Sequence, residues 1–301
     1  MSLDLDTTFQ PQHGRPVPVA PGVVRLTAPN TGPMTFTGTN TYLLGQDTLM
    51  VIDPGPQDEA HLSALLRAID GRRVEAILAT HTHLDHTGLH AALRDATGAP
   101  LVAEGPHRTS RPLAPGEINL LDAAADHSFR PDITLGDGEP FETAAGRLVG
   151  IATPGHTANH MSFALEDQGL LFSGDHVMAW STTIVAPPDG RMADYMASLD
   201  KLSARADRLY LPGHGGPVER PAAFLRATRA HRRMREQTIL ERVRAGDRFV
   251  ADMVSAIYRS TPKALHGAAA LSVLAHLEDL CERGLVAATG GVELTARFEP
   301  V

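Results

Sequence analysis

The segment Thr80-His81-Thr82-His83-Leu84-Asp85-His86 places three imidazoles and a carboxylate within seven residues, directly after the apolar run Ala76–Ala79. In an extended loop leaving a strand, residues two apart point to the same side, so His81 and His83 can bind one cation together. Asp85 and His86 begin the next turn, which can aim them at a second cation close by. Three further fragments repeat the arrangement at a distance: Thr153-Pro154-Gly155-His156-Thr157, Phe172-Ser173-Gly174-Asp175-His176 and Leu211-Pro212-Gly213-His214-Gly215. Each follows an apolar run and sets a ligand type beside glycine, where the backbone turns without a Cβ clash. Imidazoles and carboxylates without thiolates suit Zn²⁺, with Mn²⁺ and Fe²⁺ as competitors.

Together with Val51-Ile52-Asp53-Pro54-Gly55, these fragments resemble the five motifs of the metallo-β-lactamase superfamily, in order, over about residues 23–215. The resemblance implies an α+β fold, an αββα sandwich with metals at one edge. It also implies roles: His81, His83 and His156 on a first metal, Asp85, His86 and His214 on a second, and Asp175 bridging them. Asp53 becomes a supporting carboxylate. His160 and His176, near the ligands in sequence, are read as supporting or structural.

Two zinc ions per chain are the expected cofactor, with iron or manganese as competitors. Such ions stand about 3.5–4 Å apart, and their mutual repulsion requires anions between them. Asp85, Asp175 and a hydroxide would leave one net positive charge. Zinc lowers the pKa of its water to about 7, so a bridging hydroxide would attack a phosphodiester, ester, thioester or lactone. Asp85 is the candidate to orient that nucleophile and take its proton. A mononuclear iron enzyme, as in the persulfide dioxygenases of the same fold, ranks lower.

The elements that must carry these residues follow from hydrophobic patterning. Short apolar runs at Tyr42–Leu44, Thr48–Ile52, Ala76–Ala79, Leu148–Ala152, Met161–Leu165, Leu170–Ser173 and Arg208–Leu211 predict buried strands. Helical spacing predicts helices over Glu59–Ile69 and Leu89–Ala96, each followed by glycine. Six prolines by position 33 make the N-terminal stretch an extended arm. Helices are also expected from Pro221 to Gly246, over Ala251–Tyr258 and over Ala268–Arg283, with a hairpin over Val286–Phe298.

That outline predicts a catalytic unit over 1–219, an Arg-rich connecting helix over 220–249 and a winged-helix-like unit over 250–301. The whole resembles β-lactamase-like hydrolases with a C-terminal winged helix, whose mitochondrial animal members are single-strand endoribonucleases. The stretches Ser181–Val185 and Arg232–Gln237 belong to that resemblance. Nine arginines against three acids over 220–248 give a local charge of +6, and Arg232 and Arg233 are candidate contacts to RNA or another substrate. A solvated helix face is the plainer alternative.

Composition narrows the rest. The 301 residues carry a formal charge of −8, which disfavours a general nucleic-acid coat. Duplex DNA is excluded further by Glu278, Asp279 and Glu282, expected on the exposed face of the recognition helix. The winged helix is therefore assigned to packing, to contact within a homodimer or to walling the cleft. The single cysteine, Cys281, rules out an internal disulfide and is read as core packing. With no secretory pattern and no apolar stretch of membrane-spanning length, a cytoplasmic protein without a membrane partner is expected. The remaining histidines, His61, His90, His107, His127, His231, His266 and His276, are read as surface or helix residues.

Overall fold

The computed structural model describes residues 3–114 and 116–301. Seven strands form the first sheet in chain order: β1 (Val17–Ala20), β2 (Val23–Thr27), β3 (Asn40–Leu44), β4 (Thr48–Ile52), β5 (Arg73–Leu78), β6 (Leu101–Ala103) and β7 (Ile133–Thr134). A second sheet contains β8 (Pro140–Thr143), β9 (Gly146–Ala152), β10 (Met161–Leu165), β11 (Leu170–Gly174) and β12 (Leu209–Pro212), ordered β12-β11-β10-β9-β8. The proline-rich arm supplies β1, paired antiparallel to β2.

Period-two alternation explains the layers. Met50 and Ile52 of β4 and Leu78 of β5 face the second sheet, where Met161, Phe163, Leu170, Phe172 and Leu211 meet them. The alternate residues Leu49, Val51 and Ile77 face outward under helices α1 (Glu59–Ile69) and α3 (His90–Thr97), touching Leu65 and Ile69 of α1 and Leu93 of α3, with the short α2 (Leu84–Thr87) between those helices in the chain. On the far side, α4 (Met192–Ser203) lays Tyr195, Leu199 and Leu202 over Val149, Ile151 and Leu171. Both faces of both sheets are thus covered, which is why the strands read as continuous apolar runs. The sandwich expected from the resemblance is present.

Helix α5 (Pro221–Arg244) joins two cores. Its Leu225 packs with the α4 layer, whereas Ile239, Leu240 and Val243 belong to a C-terminal core. That core is completed by α6 (Val250–Ile257), α7 (His266–Glu282) and the hairpin β13 (Val286–Thr289) with β14 (Arg297–Pro300). Helices followed by a two-stranded wing give the expected winged-helix outline. Among the described residues no helix is long and apolar enough to cross a membrane.

Several residues lie elsewhere than their types suggested. Glu278 is buried, and its carboxylate meets Arg111 at 2.6 Å, so it cannot present charge on an open recognition face. His61 and His276 are helix residues, one of the two places expected for them, and both are buried. Both sit on the apolar stripes of their helices, His61 with Leu65 and Ile69, His276 with Val273 and Leu280. Cys281 is half-buried against the C-terminal core, where burial raises its thiol to about 11.

Candidate metal centre

The strands β4 and β5 run parallel, as do β11 and β12, while β9 and β11 are both antiparallel to β10. Their C-terminal ends therefore share one edge of the sandwich. Asp53 follows β4, His81 and His83 leave β5, His156 follows β9, Asp175 follows β11 and His214 follows β12. The short helix α2 carries Asp85 and His86 on the same rim. All seven residues given roles on the metals meet there, as two triads with Asp175 between them.

In the first triad, the ligand-type atoms of His81, His83 and His156 lie within 4.8 Å of one another. His83 Nδ1 is 3.0 Å from His81 Nε2 and 3.1 Å from His156 Nε2. The second holds Asp85, His86 and His214. Here His86 Nε2 and His214 Nε2 face each other at 3.3 Å, and Asp85 Oδ2 lies 3.4 and 3.3 Å from them. Asp175 stands between the triads. Its Oδ1 is 3.5 Å from His86 Nε2, and its Oδ2 is 3.2 Å from His214 Nε2 and 3.8 Å from His156 Nε2.

The outer hydrogen bonds decide which ring nitrogens are free. His86 Nδ1 faces Asp53 Oδ2 at 2.9 Å, and His156 Nδ1 faces the Ile184 carbonyl at 2.7 Å. His214 Nδ1 faces the Gly38 carbonyl at 3.2 Å. Each of these nitrogens must carry its proton to donate, which aims Nε2 of His86, His156 and His214 inward as a lone pair whenever the ring is neutral. His81 follows the same logic: Thr80 Oγ1 donates to Asp53 Oδ2 at 2.8 Å, so it accepts from His81 Nδ1 at 3.1 Å. Inward lone pairs and carboxylate oxygens with too few protons between them are a donor set that fits a cation. The buried Asp175 Oδ1 and His83 Nε2 also lack any hydrogen-bond partner.

Electrostatics agree with that fit. Burial lowers His81 well below its ordinary range and His83 to about 3, keeping both rings neutral. Burial works against ionised Asp175 and Asp85, yet the facing His86 and His214 outweigh it and hold both carboxyls below their usual range. Conversely His86 is raised and His214 reaches about 9, since the carboxylates overcome burial. The centre calls for positive charge beside Asp85 and Asp175. Of these two, Asp85 has the more open side chain, 26% exposed against 9% for Asp175, and it receives a 3.1 Å hydrogen bond from the Thr39 hydroxyl.

His160 supports the centre from behind: its Nε2 accepts the Asp175 backbone N–H at 3.1 Å, and its Nδ1 meets Thr153 Oγ1 at 2.8 Å. His176 is buried against Tyr195 with neither ring nitrogen hydrogen-bonded. Arg233 is exposed, but Arg232 is 3% exposed and donates to the Thr183 carbonyl. That interior position differs from the surface an RNA contact would require. It has a readable cause, since Arg232 falls on the buried stripe of Leu225, Thr228, Ile239 and Val243. The supporting groups that residue types did not reveal are Thr39, Thr80 and the carbonyls of Gly38 and Ile184. Backbone carbonyls carry no mark in a sequence, whereas Thr80 adjoins the histidine string and is marked by that position.

Comparison with known proteins agrees with this fold. The model of the Metallo-beta-lactamase superfamily matches residues 34–214, and that of the Beta-lactamase associated winged helix domain matches residues 250–293. A Drosophila melanogaster protein named Beta-lactamase-like protein 2 homolog is 33% identical, over 87% of this chain and 88% of its own length. An Aspergillus fumigatus protein named Atrochrysone carboxyl ACP thioesterase is 29% identical, over 74% of this chain and 65% of its own. Among solved structures, a metallo-beta-lactamase family protein from Thermus thermophilus superposes with a TM-score of 0.76 at 25% identity, covering 94% of this chain and 100% of the other. A beta-lactamase domain protein from Burkholderia ambifaria gives 0.78 at 23% identity, covering 99% and 97%.

Proposed function

Since the chain belongs to the metallo-beta-lactamase superfamily and is a metallohydrolase, we propose that it is a binuclear zinc hydrolase of activated acyl bonds, with thioesters first among them. The observation that carries this reading is Asp175, whose two carboxylate oxygens face both histidine triads. A mononuclear iron oxygenase would leave the Asp85–His86–His214 triad without a task. The preference for thioesters over other esters, lactones and phosphodiesters draws on the thioesterase name of one relative.

Bound in the two triads, zinc would supply Lewis acidity toward the scissile group and a water acidified to near neutrality. The protein's own part is positional. His81, His83, His156, Asp85, His86, Asp175 and His214 would hold the ions, and Asp53 and the carbonyls of Gly38 and Ile184 lock the rings' tautomers. Asp85, at the opening and steadied by Thr39, orients the attacking water and accepts its proton at a carboxylate oxygen. The catalytic unit spans 1–219, with the helix over 220–249 leading to the winged-helix unit over 250–301.

Cleavage of single-stranded RNA is the second reading, favoured by exposed Arg233 on an otherwise Arg-rich helix. A parallel assay of zinc-loaded protein against an acyl thioester, a lactone, a cephalosporin and single-stranded RNA tests both. Thioester turnover that Asp175→Ala abolishes while the variant stays folded is the expected result. Wild-type rates in Asp175→Ala would overturn the bridging role, and cleavage of RNA alone would replace the first reading with the second.

A further inference from the structure

A cavity of about 400 Å³ opens where the sandwich meets the C-terminal unit. One wall is the loop Trp180–Ile184; the others come from the middle of α5, the end of α6, the connection to α7 and the start of α7, with Pro33, Met34 and Met178 completing the lining. His231, Arg232 and Arg235 all line it, and among the described residues no Asp or Glu does. The contrast with nearby arginines is plain: Arg229 pairs with Asp200 at 2.5 Å and Arg283 with Glu236 at 2.9 Å. Among the described residues no carboxylate pairs with Arg232 or Arg235.

Several buried donors of the residues that line this cavity lack acceptors, although Arg232 also donates to the Thr183 carbonyl. Arg232 is almost wholly buried, yet its Nε has no partner; neither has the buried Nε of Arg235 nor the indole N–H of Trp180. The guanidiniums are held in place by aromatic faces, Arg232 at 5.0 Å over Tyr195 and Arg235 at 4.5 Å over Tyr258. Behind them His276 is buried with both ring nitrogens unpartnered. A buried cation with open donors is destabilising until an anion meets it.

Guanidinium forks suit planar carboxylate and tetrahedral phosphate alike. The hydroxyls of Ser181, Ser260 and Thr261 also line the cavity, and together with two guanidiniums and an indole they offer more donors than two carboxylate oxygens can accept. Phosphate uses them better. The space suits a small molecule rather than a strand, and one face of each ring is already taken: Trp180 stacks on Phe36 at 4.8 Å, and the two tyrosines lie beneath the arginines. That leaves less ring surface for a base to stack upon.

The loop that walls the cavity also holds the metal centre. Thr183 Oγ1 donates to the Asp175 carbonyl at 2.7 Å, and the Ile184 carbonyl receives His156 Nδ1. Building on the hydrolase reading above, we propose that this cavity is a phosphate subsite. It takes a phosphate on the arm of a small acyl substrate while the scissile carbonyl lies across the loop at the His/Asp centre.

Trp180 is the chain's single tryptophan, so its fluorescence reports occupancy directly. Full-length, metal-loaded protein is titrated with inorganic phosphate at constant ionic strength. A saturable change is expected, weakened about tenfold or more in Arg235→Gln, retained in the metal-site variant His214→Ala, and competed by an acyl thioester bearing a terminal phosphate. Arg232→Gln, checked for folding by circular dichroism, should weaken it likewise. An absent response, a response unchanged in Arg235→Gln, or one lost in His214→Ala would overturn the assignment. So would competition by a short oligoribonucleotide but not by the phosphorylated thioester. Binding is read without turnover: phosphate binding without thioester hydrolysis defeats the hydrolase reading, and hydrolysis without phosphate binding defeats this one.

Discussion

Asp53 Oδ2 lies 2.9 Å from His86 Nδ1, while Asp53 Oδ1 accepts the Thr80 backbone N–H at 2.8 Å. One carboxylate thus fixes the tautomer of a ring in the second triad and the start of the loop bearing the first. Its backbone is left-handed, φ 51°, a conformation that Asp and Asn tolerate better than most residues. Asp53→Ala should lower metal affinity about 10- to 100-fold, with a smaller loss in Asp53→Asn. Competition with a chromogenic chelator measures it, and an unchanged affinity in Asp53→Ala would remove Asp53 from the centre's support.

Gly213 tests how tightly the centre is packed. A Cβ there would stand 2.5 Å from Asp175 Oδ1 and 2.6 Å from His86 Cε1. Its φ is not among the positive values, so alanine suits the backbone and the conflict is with the metal site alone. Gly213→Ala should lose about tenfold or more in metal affinity, with a melting temperature of the metal-free protein close to that of wild type. Wild-type metal binding would mean that Asp175 and His86 can shift without cost.

A pH-dependent contact links the sandwich to α7. Arg111 forks onto Glu117 at 2.6 Å and reaches Glu278 at 2.6 Å, so one guanidinium serves two carboxylates. Burial raises Glu278 to about 7 despite Arg111, whereas its ordinary value is 4.5. A raised folded pKa means the contribution is full below about pH 4.5 and lost as pH rises through about 7. Glu278→Gln should therefore melt near wild type at pH 5 and progressively higher than wild type from pH 6 to 8. A difference in melting temperature that is flat or falling over that range would contradict the buried, partly protonated state.

Much of the centre is legible from residue types alone because its ligands stand in short strings at strand ends, and that chemistry survives any error in element boundaries. Helix α4 escapes such reading although Met192, Tyr195, Leu199 and Leu202 repeat at three- and four-residue steps; polar residues between them obscure the stripe. Arg232 misleads for the opposite reason. Its charge suggests the surface, while its position on the α5 stripe puts it inside. The acids of α7 show the same tension, since Glu278 is buried only because a loop 167 residues earlier brings Arg111 to it. Pairings at such range are invisible in local patterning.

Metal content per chain is the most direct measure of whether two cations share this rim. Elemental analysis of wild-type protein and of folded His214→Ala and His81→Ala variants, after dialysis against trace metal, should give close to two ions for the first and a clear loss in each variant. A wild-type content of one ion, unaffected by His214→Ala, would contradict the binuclear centre and the function built on it.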